Sequence, residues 1–249
     1  MNYSNFQLRI LVGDKPINEY NHQGNVFVEG RKGSEFVLEF TNRTNSRVLV
    51  VPSVDGLSTL DGKEATPESK GYIVPAWGVL KIPGWTIDGQ SVAKFLFQDK
   101  ERSYVYQSGQ GNVANAGVVG VLIYGEKKEE YSLSADVFRG ITTKRSDESE
   151  PWKVNNQTSA TLSSNEISES TSDEPFSIGT GWGGKADFKV NQVVFNRGGL
   201  ETQMLIYYDS RRNLEKRGIQ VVKKERSYLN TLPQAFSGIG CTPPPGWKG

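Results

Sequence analysis

Phe36-Val37-Leu38-Glu39-Phe40-Thr41 alternates with a period of two: Phe36, Leu38 and Phe40 share one face, while Val37, Glu39 and Thr41 take the other. The stretch predicts a half-buried β-strand. Behind it, Asn42-Arg-Thr-Asn-Ser46 gathers turn-forming side chains, and Arg47-Val-Leu-Val-Val51 is a second β-prone run. The three together read as a hairpin. Working outward, short apolar segments separated by turn clusters predict further strands at 7–12, 26–29, 71–74, 79–82, 92–97 and 118–124. That spacing is the signature of a sandwich or barrel. The alternation of Ala93, Phe95 and Phe97, and the continuous apolar run 118–124, mark central strands buried on one face and on both faces respectively.

The 249 residues allow one large domain or two small ones. With 29 Lys+Arg against 28 Asp+Glu, the formal charge is +1, which supplies no global field for nucleic acid or an anionic membrane. A hydrophobic fraction of 36%, with 27 Gly and 11 Pro, describes a turn-rich chain built from short strands. A single cysteine, Cys241, excludes an internal disulfide and a Cys-based zinc site. A single histidine, His22, excludes multi-histidine metal and catalytic arrangements. No secretory leader and no apolar run long enough to cross a bilayer is recognisable, so neither export nor a membrane partner is expected.

The expected fold class is all-β: a β-sandwich, jelly-roll or Ig-like, over 1–126, then a long polar linker or arm over 127–183, rich in Ser, Thr and acids. A small C-terminal extension over 184–249 follows, made of a hairpin, a short helix and a Pro-rich tail. The linker has too little apolar surface to offset its ordering entropy, so it is expected to gain order only against a partner. Runs at 188–195 and 203–208, parted by Asn196-Arg-Gly-Gly199, read as the hairpin. Asp209 and Ser210 offer a cap for one or two helical turns over 211–217, with Gly218 as the stop.

Candidate chemistry is sparse. Asp55, Asp61 and Glu64 lie close enough in sequence to suggest calcium, but Asp-Gly at 55–56 and 61–62 is equally a tight-turn dipeptide. Glycine-rich stretches at 109–114 and 179–184 lack the helix that a phosphate-binding loop needs. His22, in Asn-His-Gln-Gly, reads as a turn residue. Trp77 and Trp85 flank a strand and are expected at buried sheet corners, while flat aromatic faces elsewhere would suit sugar rings. Arg211, Arg212, Lys216 and Arg217, continued by Lys223, Lys224 and Arg226, form a local basic cluster, either a solvated helix face or a surface for docking on acidic residues such as the Glu/Asp-rich tract of a neighbouring copy. Pro243-Pro244-Pro245-Gly-Trp247 reads as a polyproline-like arm with an aromatic anchor.

Glu29-Gly-Arg-Lys-Gly-Ser-Glu-Phe36, Arg47-Val-Leu-Val-Val51, Ser53-Val-Asp-Gly-Leu-Ser58, Asp61-Gly-Lys63, Gly71-Tyr72 and Ile82-Pro-Gly-Trp85 resemble an uncharacterised family encoded in bacterial and phage genomes. Gly179-Thr-Gly-Trp-Gly183 and Tyr207-Tyr-Asp-Ser-Arg-Arg-Asn-Leu-Glu-Lys-Arg-Gly218 resemble its C-terminal portion. The resemblance covers about two thirds of the chain, brings no catalytic residues, and implies a phage context. The resulting expectation is a non-enzymatic virion structural protein, a capsid decoration or cement protein or a tail component, without cofactor or metal. Its partners would be the major capsid protein or other virion subunits, with homo-oligomeric or array contacts, and with neither specific nucleic acid nor membrane. Its binding residues would be Arg211, Arg212, Lys216, Arg217, Pro243, Pro244, Pro245 and Trp247. A reducing cytoplasm as the place of assembly fits the missing disulfides. The alternatives are a glycan-binding module using exposed Trp and Tyr, and a glycoside hydrolase whose two carboxylates leave no sequence signature.

Overall fold

The computed structural model describes residues 1–127 and 175–222. In chain order its strands are β1 (Asn2–Tyr3), β2 (Phe6–Val12), β3 (Lys15–Pro16), β4 (Glu19–His22), β5 (Asn25–Glu29), β6 (Glu35–Asn42), β7 (Val48–Val54) and β8 (Leu57–Ser58). They continue as β9 (Tyr72–Val74), β10 (Val79–Ile82), β11 (Gly84–Thr86), β12 (Ser91–Asp99), β13 (Val118–Glu126), β14 (Ile178–Asp187) and β15 (Arg197–Asp209). Two short helices, α1 (Tyr104–Ser108) and α2 (Arg211–Lys216), accompany them. The protein is an all-β sandwich of two sheets. One follows the order β1-β2-β6-β12-β11, with β3 on β2, β10 on β6 and β14 on β12; the other runs β4-β5-β15-β13-β7-β8, with β9 on β7. All pairings are antiparallel except that of β15 with β5.

The period-two reading of the opening stretch holds: Phe36, Leu38 and Phe40 are buried, and Val37, Glu39 and Thr41 are half-buried. With Leu8, Ile10, Phe95 and Phe97 they form one wall of the core; Val50, Val54, Val121, Ile123, Met204 and Ile206 form the facing wall. Phe36 is central, its ring 4.2 Å from that of Phe97, 5.2 Å from that of Phe95 and 6.2 Å from that of Tyr208 on the opposite sheet. The glycine in Ile82-Pro-Gly-Trp85 is forced by packing: a Cβ at Gly84 would lie 2.0 Å from the Ala93 carbonyl oxygen, because β11 fills the gap where β6 and β12 diverge.

Two expected hairpins are instead crossings between sheets. β6 lies in the first sheet and β7 in the second, so 43–47 is a corner. The Asn42 side chain builds it, donating to the carbonyls of Ser46 (2.8 Å) and Pro75 (2.9 Å) and accepting from the Thr44 amide (2.9 Å). The crossing lets the apolar faces of both strands meet across the core rather than lie side by side. Likewise β14 pairs with β12 and β15 pairs with β13 and β5, so no hairpin joins 188–195 to 203–208, and 188–196 is an irregular crossing. The boundary drawn at 183/184 falls within β14, and both late strands are integral to sheets begun by 1–126. The short helix does form, with Ser210 at its N-cap and Gly218 at φ +82° behind it. Leu214, Ile219 and Val221 pack with Phe27 on the outer face of the second sheet.

Phe36→Ala is expected to lower the unfolding free energy by about 3–5 kcal/mol in urea titrations, since it opens a cavity at the meeting of both walls. Val194→Ala, at a side chain 82% exposed, should change it by less than about 0.5 kcal/mol.

Candidate functional site

Three stretches far apart in sequence, around Asp55, Thr180 and Tyr208, converge on one buried polar cluster. Asp55 and Gly56 both have positive φ, +52° and +76°, and join β7 to β8 as a two-residue turn, so the Asp-Gly turn reading holds. The Asp55 side chain points inward. Its Oδ1 accepts from the Gly117 amide at 2.9 Å and from the Tyr208 hydroxyl; its Oδ2 accepts from the Thr180 amide at 2.6 Å. Thr180 Oγ1 lies 2.6 Å from the Tyr208 hydroxyl and donates to it while Tyr208 donates to Asp55. Asp55, Thr180 and Tyr208 are all fully buried. Thr180 comes from the first sheet and Tyr208 from the second, so the carboxylate ties the two together. Gly179 leaves room for it, since a Cβ there would meet Ser103 Cβ at 2.6 Å.

Burial pushes the Asp55 carboxyl up from 3.8 to about 6, against the bonds from Tyr208, Thr180 and Gly117 that pull it down. Burial, then the charge of Asp55, raises the Tyr208 hydroxyl well above its ordinary range. A carboxyl in contact with a phenol resembles acid–base machinery, but here Asp55, Thr180 and Tyr208 are all fully buried. Its chemical capacity is used in joining the sheets. Asp209 performs a similar service at the end of β15, accepting from Ser177 Oγ at 2.7 Å and from the Ser210 amide at 2.7 Å. Of the calcium trio, Asp55 is thus committed inward, while Asp61 and Glu64 sit at the surface; among the described residues no group of three or more metal-ligating side chains forms.

The basic cluster is divided by α2. Arg217 lies over the Phe176 ring at 4.4 Å, and Arg212 and Lys216 are exposed. Arg211 donates to the Val221 carbonyl at 2.7 Å, pairs with Glu215 at 3.4 Å, and lines a cleft of about 550 Å³. Lys15 and Arg31 line the same cleft, with Glu29 its one carboxylate and Pro16, Ile17 and Tyr20 its apolar floor. The sequence concealed this grouping, because β3, the β5–β6 turn and α2 meet only in the fold. Pro243, Pro244, Pro245, Trp247, Lys223, Lys224, Arg226 and the acid-rich tract up to Glu174 lie outside the described residues.

The tryptophans divide differently from expectation. Trp85 is buried, with Tyr104 at 5.0 Å and Phe95 at 5.3 Å, as a sheet corner requires. Trp77 is 70% exposed and adopts φ +57°. The turn Pro75–Gly78 points its tip away from the core, and its backbone is fixed by bonds from Trp77 N to Thr44 O and from Asn42 N to Gly78 O. Trp182 is 45% exposed on β14, 5.3 Å from the Tyr104 ring. His22 is not in the turn itself but ends β4, paired with Asn25 and immediately before the Gln23-Gly24 turn to β5.

Comparison with family models, with curated proteins and with solved structures finds no match. The functional reading therefore stands on these surfaces.

The folded state holds the Asp55 proton up to about pH 6, whereas the unfolded carboxyl releases it near 3.8. Its contribution to stability is therefore fully present below pH 3.8 and is lost as pH rises through 6, an effect of about 3 kcal/mol. Urea titrations from pH 4 to 7.5 should show the stability of the wild type falling relative to that of Asp55→Asn over this window. A pH-independent difference would contradict the assignment.

Proposed function

We propose that the protein is a non-enzymatic structural subunit of a phage virion, a capsid decoration or tail-associated component that joins neighbouring subunits. The observation that carries this reading is the connection between β13 and β14. The chain leaves the sandwich at Lys127, beside the Arg197 end of β15, and re-enters at Pro175, beside Asp209 at the other end. These points are about 40 Å apart along β15, a span that about twelve extended residues would cover. The connection, 128–174, has 47 residues, about four times that number. A head locked by buried bonds with a connection several times longer than its span suits a subunit that reaches its neighbours through arms.

The cleft with Lys15, Arg31 and Arg211 supports the same reading, as a place where an acidic face of the major capsid protein or another virion subunit would dock. Its single carboxylate, Glu29, does not supply the pair that glycoside hydrolysis uses.

Mass spectrometry of density-gradient-purified particles, from a lysate of cells carrying the gene, should find the chain at a fixed ratio to the capsid protein. Recovery only from the soluble fraction would contradict the proposal. The double variant Lys15→Glu, Arg31→Glu should leave the fold intact and reduce the chain's occupancy on particles.

A further inference from the structure

Trp77 is the one bulky side chain among the five described non-glycine residues with positive φ; the others are Ser4, Asp14, Gln23 and Asp55. Left-handed backbone is costly for such a residue, and strain of this kind concentrates where a side chain must be presented. Core packing does not account for it, because the side chain is 70% exposed. Nor is the turn loose: the buried Asn42 donates to the Pro75 carbonyl, and the Trp77 amide donates to Thr44 O at 3.2 Å. The protein thus fixes the backbone that carries an indole into solvent.

Thr44 also lines a second cleft, of about 290 Å³, at this end of the sandwich. Tyr3, 53% exposed, stands on it in the β1–β2 turn, where Ser4 has φ +49°. The two strained turns are held to the same corner: the Arg43 amide donates to Asn5 O, and the Asn42 amide donates to Gly78 O. Hydroxyls and amides contribute to the lining, with Asn5, Thr44, Asn45, Ser46 and Thr202 among it. Its lining holds one cation and one carboxylate, Arg47 and Glu201, and Arg47 is paired with Glu126.

We propose that this corner is a binding site for a neutral glycan. Exposed, preorganised aromatic rings offer flat faces to the apolar faces of sugar rings. The Asn5 and Asn45 side-chain amides, each with donors unused among the described residues, match hydroxyls that both donate and accept. Polar and apolar atoms share the lining of this cleft about equally, as the hydroxyl edges and apolar faces of a sugar ring require. The site goes beyond the virion reading and stands without it, since its evidence lies on a different face from the basic cleft.

The test uses the full chain and a panel of neutral hexasaccharides of glucose, mannose, galactose and N-acetylglucosamine units, followed by tryptophan fluorescence and by amide chemical shifts. At least one member should bind with a dissociation constant between about 10 μM and a few mM, with shifts centred on 3–5, 44–46 and 77. Trp77→Gly should weaken it at least about tenfold while leaving the melting temperature unchanged or raised, since glycine accepts positive φ. Asn45→Ala should weaken binding and Trp182→Ala should not. The proposal is overturned if no member binds at 10 mM. It is equally overturned if binding survives Trp77→Gly and Tyr3→Ala, or if Trp77→Gly abolishes only attachment to a protein partner.

Discussion

One carboxylate holds the two sheets of this sandwich in register. Asp55 sits where β7 turns into β8, and its oxygens accept from an amide of the first sheet, a phenol of the second and the amide of Gly117 before β13. Interdigitated apolar side chains fill the space between sheets without fixing which residue faces which, since dispersion and burial are non-directional. Four directional bonds among Asp55, Gly117, Thr180 and Tyr208 add that fixity. The cost of burying the carboxyl is visible in its upward shift, which these bonds oppose, and the cluster is tolerable only because every member has a partner.

The clasp also gives the late strands their place. Thr180 and Tyr208 lie 125 and 153 residues beyond Asp55 in sequence, so the sandwich is completed only when 175–222 returns to it. β14 extends the first sheet and β15 inserts between β5 and β13 of the second. The long connection is therefore bracketed by two firmly anchored points.

Strands were legible in the sequence wherever a period of two met β-branched or aromatic residues: β6, β10, β12 and β13 lie where that pattern puts them. Their distribution between sheets was not legible. The cluster Asn42–Ser46 has the composition of a hairpin turn and of a corner alike, and only the positions of Pro75 and Ser46 around the Asn42 side chain decide between them. β14 was hidden by its glycines, which have low strand propensity and are there because Gln98, Ser103 and the Lys94 carbonyl crowd them. The Asp55 turn could be read from Asp-Gly, but not its bonds, and the cleft of Lys15, Arg31 and Arg211 joins residues that nothing in the linear order connects. Trp77 was misplaced because flanking a strand does not say on which side of the corner a side chain falls.

Native-state hydrogen exchange at the Gly117 and Thr180 amides, the two backbone donors to Asp55, tests most directly whether the buried cluster is structural. Both should exchange only through global unfolding, with the same free energy and denaturant dependence as core amides of β12 and β13. Exchange of either by a local opening well below that free energy would show that solvent reaches Asp55 in the native state, and the carboxylate would then have to be reconsidered as a site of chemistry.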